Sequence, residues 1–135
     1  MRSGGINWAA VLAAAVAIYL IGFVIYGMLV PEETWMAMSG ESAAELAAVG
    51  ESRMPFGPLM PIMTAAFMAL LFKWGAVDSA AKGIRWAMVV AFGSAVPALL
   101  YGWVYGVGPI EMTLIDGAHL LLGHAVAGAI LGGWR

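Results

Sequence analysis

The chain has 135 residues, of which 63% are hydrophobic and only 10% are charged, and its formal net charge is −2. A soluble domain carries roughly 25% charged residues, so this chain has too little polar surface to cover a water-soluble globule. The acidic balance argues against a nucleic-acid partner, and a sequence without cysteine excludes disulfides and thiolate chemistry. We therefore expect an integral membrane protein.

Four apolar segments follow one another along the chain, at about 8–30, 56–74, 84–105 and 114–134. Each is close to the roughly 20 residues that a helix needs to cross the hydrocarbon core of a bilayer. The runs are continuous and rich in alanine, leucine and methionine, which predicts helices rather than strands. The sequence therefore predicts a single all-α transmembrane domain over residues 1–135, folded as a four-helix bundle.

The segment between the first and second spans, residues 31–55, is the only sizeable loop. Pro31 is followed by two glutamates, which is typical of a helix start. Farther along, Ser42 and Glu45 have the spacing of a capping box. We expect two short helices here, lying at the outer surface of the membrane.

The basic residues indicate the orientation of the spans. Arg53 lies in the loop between the first and second spans, whereas the other five basic residues lie at the opposite ends of the spans: Arg2, Lys73, Lys82, Arg85 and Arg135. Because cytoplasmic segments carry an excess of lysine and arginine, both termini are predicted to lie in the cytoplasm. The same side carries a row of tryptophans, as expected at a membrane interface: Trp8, Trp74, Trp86 and Trp134.

The fourth span carries three ionisable residues, Asp116, His119 and His124. Such groups are expensive in hydrocarbon and mark candidate functional sites. Asp116 and His119 are one helical turn apart, whereas His124 points to another face and lies deeper. The functional interpretation is a proton relay, or an ion or cofactor site. The structural alternative is a set of hydrogen bonds that brace neighbouring helices.

Tyrosines supply possible partners for this cluster. Tyr26 and Tyr101 fall in the outer half of their spans, at the predicted depth of Asp116 and His119. We expect Asp116 to accept a hydrogen bond from His119 or from a tyrosine of the first or third span. The alternative for outer tyrosines, above all Tyr105, is that they anchor at the lipid headgroups.

Two GxxxG patterns predict close packing of helices. Gly102 and Gly106 form one in the third span, and Gly128 and Gly132 form the other in the fourth. Small residues at this spacing allow two helix backbones to approach closely. In a chain with 18 glycines, the patterns predict tight packing and do not by themselves predict dimerisation.

Few cofactors suit this sequence. Methionines on the outer side, together with imidazole, can bind Cu(I), although methionine is also an ordinary apolar filler. A histidine in a span can ligate haem or a chlorophyll-type macrocycle, but here that would require a partner protein. We predict lipid as the ligand and no metal site. GxGxxG, P-loop, GxSxG and HExxH motifs do not occur, so we expect a protein that is not an enzyme.

Several short motifs point to a known family: Ile6-Asn7-Trp8, Tyr26-Gly27, Trp35-Met36, Leu114-Ile115-Asp116 with His119, and the segment from Gly128 to Gly132 before Trp134. In layout and motifs the chain resembles the bacterial membrane proteins grouped as domain of unknown function 1761. The resemblance implies a small four-helix protein of the bacterial inner membrane. It implies no activity, so Asp116 and His119 gain weight as signature positions without gaining a role.

Two functions remain open on these grounds. The first is a non-enzymatic accessory or structural subunit that packs against other membrane proteins. The second is an oligomeric carrier or channel for protons, ions or a small solute, built around Asp116, His119 and His124. The expected partners are membrane lipids together with other membrane proteins or further copies of this chain.

Overall fold

The computed structural model describes residues 2–134, most of which are helical. Two short antiparallel strands, β1 (Arg2–Ser3) and β2 (Ile6–Asn7), precede the first helix. Seven α-helices follow: α1 (Trp8–Val24), α2 (Glu32–Ser39), α3 (Ala43–Arg53), α4 (Leu59–Trp74), α5 (Ala80–Val90), α6 (Val96–Tyr105) and α7 (Ile110–Gly133).

Four continuous helical stretches in the described chain are long and apolar enough to cross a membrane: Trp8–Leu29, Ala43–Trp74, Ala80–Tyr105 and Ile110–Gly133. The expected all-helical class is thus confirmed, and the chain has the four apolar helices of a multi-pass membrane protein. The second stretch is longer than the sequence predicted, because α3 runs into α4 through a 3₁₀ turn at Met54–Phe56.

The connecting helices begin and end at local signals in the sequence. Helix α2 follows Pro31 and ends at Gly40, whose left-handed φ of 73° a glycine adopts without strain. Helix α3 begins with a complete capping box, in which the Ser42 N–H donates to Glu45 Oε2 at 2.8 Å. Two N-terminal donors are satisfied in this reciprocal way, which stabilises the start of the helix.

Two π-helical turns interrupt the spans. The first, Ile25–Leu29, continues α1 and closes with a bond from the Val30 N–H to the Ile25 carbonyl at 3.0 Å. The second, Ala91–Ala95, lies between α5 and α6, immediately before Pro97. Proline lacks an N–H and disrupts the regular ladder, so a widened turn at this position has an identifiable cause.

Most buried side chains of the core are alanines from α1, α4, α5 and α7, packed around a few larger ones such as Phe72 and Ile18. Among the described residues, Met68 and Val11 are the largest side chains that are fully buried. The closest approach is between α5 and α7, where Gly83 faces Gly128 and Gly132. A Cβ atom on Gly83 would overlap the Gly128 carbonyl, and one on Gly128 would lie 2.6 Å from the Ala87 Cβ. Glycine is therefore required for these two backbones to touch.

The third span is the least covered of the four. Only 11% of the residues in its apolar stretch are buried, compared with 28% in each of the other three. Gly93 and Gly102 have nothing within 4 Å of the place where a Cβ atom would stand. One face of this span is therefore open along its length.

Candidate functional site

A side-chain hydrogen bond between Tyr26 and Asp116 joins the first and fourth spans. The Tyr26 hydroxyl donates to Asp116 Oδ1 at 2.6 Å, and both side chains are half-buried. This distance lies in the range typical of a hydroxyl bound to a carboxylate. Tyr26 stands on the π-helical turn Ile25–Leu29, and such turns frequently occur at functional sites.

His119 lies one turn deeper on α7 and binds a different partner. Its Nε2 is 3.3 Å from the Ile18 carbonyl of α1, and because a carbonyl only accepts, this geometry assigns the ring proton to Nε2. A Cβ atom on Gly22 would lie 3.0 Å from the same nitrogen. The glycine thus leaves the room that the imidazole occupies between the two helices.

Aromatic rings surround Tyr26 on two sides. The rings of Tyr26 and His119 meet edge to face, with their centroids 5.4 Å apart and an angle of 83° between the ring planes. Tyr26 and Trp35 meet in the same way, at a centroid distance of 5.7 Å and an angle of 80°. Such edge-to-face contacts are favourable because of the ring quadrupoles. Residue types did not identify Trp35 and Gly22 as members of this site, although Trp35 belongs to one of the short motifs noted above.

His124 is buried, with 6% of its surface exposed, and is bound within its own helix. Its Nδ1 lies 2.8 Å from the Leu120 carbonyl, four residues earlier. Both histidines therefore use one ring nitrogen on a main-chain carbonyl. The ring atoms left for a ligand are Nδ1 of His119 and Nε2 of His124.

Tyr101 lies apart from the cluster, contrary to its expected place beside Asp116. It is 66% exposed, and its ring lies 5.4 Å from that of Tyr105. The reason is helical geometry. Leu99 faces α7, where its side chain is 3.7 Å from the Cβ position of Gly117. Two residues later the helix has turned by about 200°, so Tyr101 points away from the fourth span.

The four glycines of the two GxxxG patterns have different surroundings. Gly128 and Gly132 lie in the close contact with α5, whereas Gly102 faces open space. A Cβ atom on Gly106 would meet the carbonyl of Gly102, four residues earlier on α6. Glycine is therefore favoured at Gly106 by the helix that it follows and not by a neighbouring one. Within the structure of one chain, only the pattern of the fourth span packs against another helix.

Among residues 2–134, no group of three or more histidine, aspartate or glutamate side chains is placed to hold a metal ion. What the arrangement offers chemically is one carboxylate, one phenol and one imidazole in contact across two spans. The phenol donates to the carboxylate and the imidazole to a main-chain carbonyl. These contacts suit a clamp between helices, and they also contain the groups that a proton relay needs.

A family model described as a protein of unknown function, DUF1761, matches residues 9–132, which is nearly the whole chain. The chain belongs to the DUF1761 family. The resemblance seen in the short motifs is thereby confirmed, and Tyr26, Asp116 and His119 all lie inside the matched region of this DUF1761 protein. No curated protein and no solved structure is significantly similar to it.

Proposed function

We propose that this DUF1761 protein is a non-enzymatic accessory subunit of the bacterial inner membrane, packing against another membrane protein through its third span. The proposal rests on how little of that span is buried. Only 11% of the residues in its apolar stretch are buried, compared with 28% in each of the other three spans. Its occupant is taken to be a transmembrane helix of a different membrane protein. Further copies of this chain are the other possible occupant, and the experiment below separates the two.

The open face of the third span has the composition of a helix-packing surface. Helices in lipid associate through close van der Waals contact and hydrogen bonds, so small and hydroxyl-bearing residues are enriched where they meet. Gly93, Ser94 and Gly102 are all exposed on this span, and nothing lies within 4 Å of the two glycine Cβ positions. The same residue type holds α5 against α7, which supports a similar contact with a partner helix here.

The polar cluster supports a structural role within the subunit. The bonds from Tyr26 to Asp116 and from His119 to Ile18 both join the first span to the fourth. A cavity that lies near Asn7 and Lys73 is lined by none of Tyr26, Asp116 and His119. A single chain therefore offers a clamp between helices more readily than a route across the membrane.

The second candidate is an oligomeric carrier or channel for protons, ions or a small solute. What favours it is the direct contact of Asp116, Tyr26 and His119 inside spanning segments, where ionisable groups commonly serve transport. It requires several copies of the chain to build a path. Variants at Asp116 separate it from the subunit proposal.

We place both termini in the cytoplasm, and α2 and α3 at the outer surface. The five-to-one division of lysine and arginine supports this orientation. In this cysteine-free chain, a cysteine introduced at the exposed Ser42 should react with an impermeant maleimide in intact cells. A cysteine at the exposed Ala81 should react only after the membrane is opened. The reverse pattern would contradict the orientation.

Photo-crosslinking in cells tests the docking face. A photoreactive residue at Ser94 or Gly102 should give one heterologous adduct of fixed size. The same residue at Val16 or Phe23, which are 57% and 59% exposed on the first span, should give none of it. Gly93→Leu should abolish the adduct from Ser94, because a bulky side chain on the adjacent residue blocks close approach. Equal adducts from both spans, or adducts only between copies of this chain, would overturn the subunit proposal.

A further inference from the structure

A cavity of about 490 Å³ opens at one end of the molecule and is lined by residues from Arg2 to Trp134, the first and last that the structure describes. The strands β1 and β2, the first turn of α1 and the end of α4 surround it, and Trp134 closes one side. The Asn7 side-chain amide donates to the Trp134 carbonyl at 3.3 Å, which ties the start of the chain to its end. The cavity is thus built from both ends of the described chain.

Two cationic side chains, Arg2 and Lys73, line this cavity and are exposed. Within residues 2–134, neither forms a salt bridge. The Lys73 stem extends along the strand pair, with its Cε 3.3 Å from the Cβ position of Gly5. Asp78 also lines the cavity, and its carboxylate binds the Lys82 ammonium at 2.7 Å. That ion pair offsets the carboxylate charge, so the two cations are available to an anion.

Most of the other residues that line the cavity are apolar. Ala10, Ala69, Phe72 and Leu131 form its inner wall, and Trp134 is half-exposed at its edge. Tryptophan prefers the depth of the lipid headgroups, where its ring is partly apolar and its N–H is wet. Cations at the rim, an apolar wall and an interfacial tryptophan together match a molecule that carries both a phosphate and hydrocarbon.

We propose that this cavity binds the headgroup of an anionic phospholipid, with Arg2 and Lys73 on the phosphate and the lipid chains along the apolar wall. Basic pockets between transmembrane helices are a recognised way to hold such headgroups on the cytoplasmic side. In the orientation proposed above, the cavity lies in that leaflet. The apolar wall favours a lipid over free phosphate, which has no group to place there.

The test is thermal unfolding of the purified protein in a neutral detergent, with lipid titrated in. Phosphatidylglycerol should raise the melting temperature at concentrations where phosphatidylcholine and inorganic phosphate do not. Lys73→Gln and Arg2→Gln should each weaken the apparent affinity for phosphatidylglycerol about fivefold, as expected for one surface cation near an anionic lipid. Arg85→Gln is the matched control, because Arg85 is exposed on the same side and does not line the cavity.

Each other outcome overturns the assignment. Equal stabilisation by phosphatidylcholine would show that the cavity does not recognise the headgroup charge. Equal stabilisation by inorganic phosphate would show that the lipid chains do not contribute to binding. A loss with Arg85→Gln as large as with Lys73→Gln would indicate general surface charge. If one cavity variant unfolds without lipid, the other is examined by native mass spectrometry. The number of phosphatidylglycerol molecules bound, compared with phosphatidylcholine, then measures the preference for the anionic headgroup.

Discussion

Gly83→Ala is expected to destabilise the protein by about 1–3 kcal/mol or more, the usual range for overpacking a well-packed contact. The added methyl group would meet the Gly128 backbone on α7, which has no side chain that can move aside. Gly102→Ala is the matched control, because nothing lies within 4 Å of its Cβ position. There the better helix propensity of alanine should leave stability unchanged or raise it by up to about 1 kcal/mol.

The measurement is reversible unfolding of both variants beside the parent protein, in one detergent and at one protein concentration. Gly83→Ala should lower the free energy of unfolding, whereas Gly102→Ala should raise it or leave it unchanged. Similar losses at both positions would mean that the close contact between α5 and α7 does not set the stability of the fold.

Asp116→Leu is expected to cost about 1–3 kcal/mol, because it leaves the half-buried Tyr26 hydroxyl without its acceptor. Asp116→Asn keeps a side-chain oxygen in place and should be tolerated if the contact is structural. Average hydrogen bonds between membrane helices contribute only about 0.6 kcal/mol. The larger cost expected for leucine therefore includes the unpaired hydroxyl as well as the lost bond.

A double-mutant cycle separates these contributions. In a Tyr26→Phe background, which removes the donor, Asp116→Leu should cost clearly less than in the parent protein. Additive costs would mean that Tyr26 and Asp116 do not act through their hydrogen bond. If Asp116→Asn instead left folding and assembly intact but removed a transport activity or a growth phenotype, the carrier proposal would replace the subunit proposal.

The sequence was informative where local chemistry determines the structure. The apolar runs predicted the four spans, and the capping box at Ser42 and Glu45 correctly placed the start of α3. The sequence did not predict that α3 continues into the second span, because Pro55 and Gly57 are typical of residues that end a helix. The structure carries the helical path past them in a 3₁₀ turn.

Which polar groups meet was harder to predict, because depth in the membrane is only one coordinate. Tyr26 and Tyr101 were equally suitable partners for Asp116 by depth. A π-helical turn brings the first to the carboxylate, and helical phase turns the second away. Likewise, Asp116 and His119 are neighbours on α7, yet the imidazole binds the Ile18 carbonyl on the other helix.

The GxxxG patterns show the same limit. Gly102 and Gly106 repeat the spacing of Gly128 and Gly132, but only the second pair packs against a neighbouring helix within the chain. The pattern predicts a surface that permits close approach and says nothing of which helix approaches it. That the first surface is open is the reason for assigning it to a partner.

The mass of the assembly that contains this chain tests the subunit proposal most directly. The protein would be expressed with a tag from its chromosomal gene, extracted in mild detergent and purified by the tag. The mass of the purified assembly would then be measured by native mass spectrometry. We expect a complex heavier than the 14.1 kDa chain by one other membrane protein in fixed ratio, dissociated by Gly93→Leu. A single 14.1 kDa chain, or only whole-number multiples of it, would contradict the proposal.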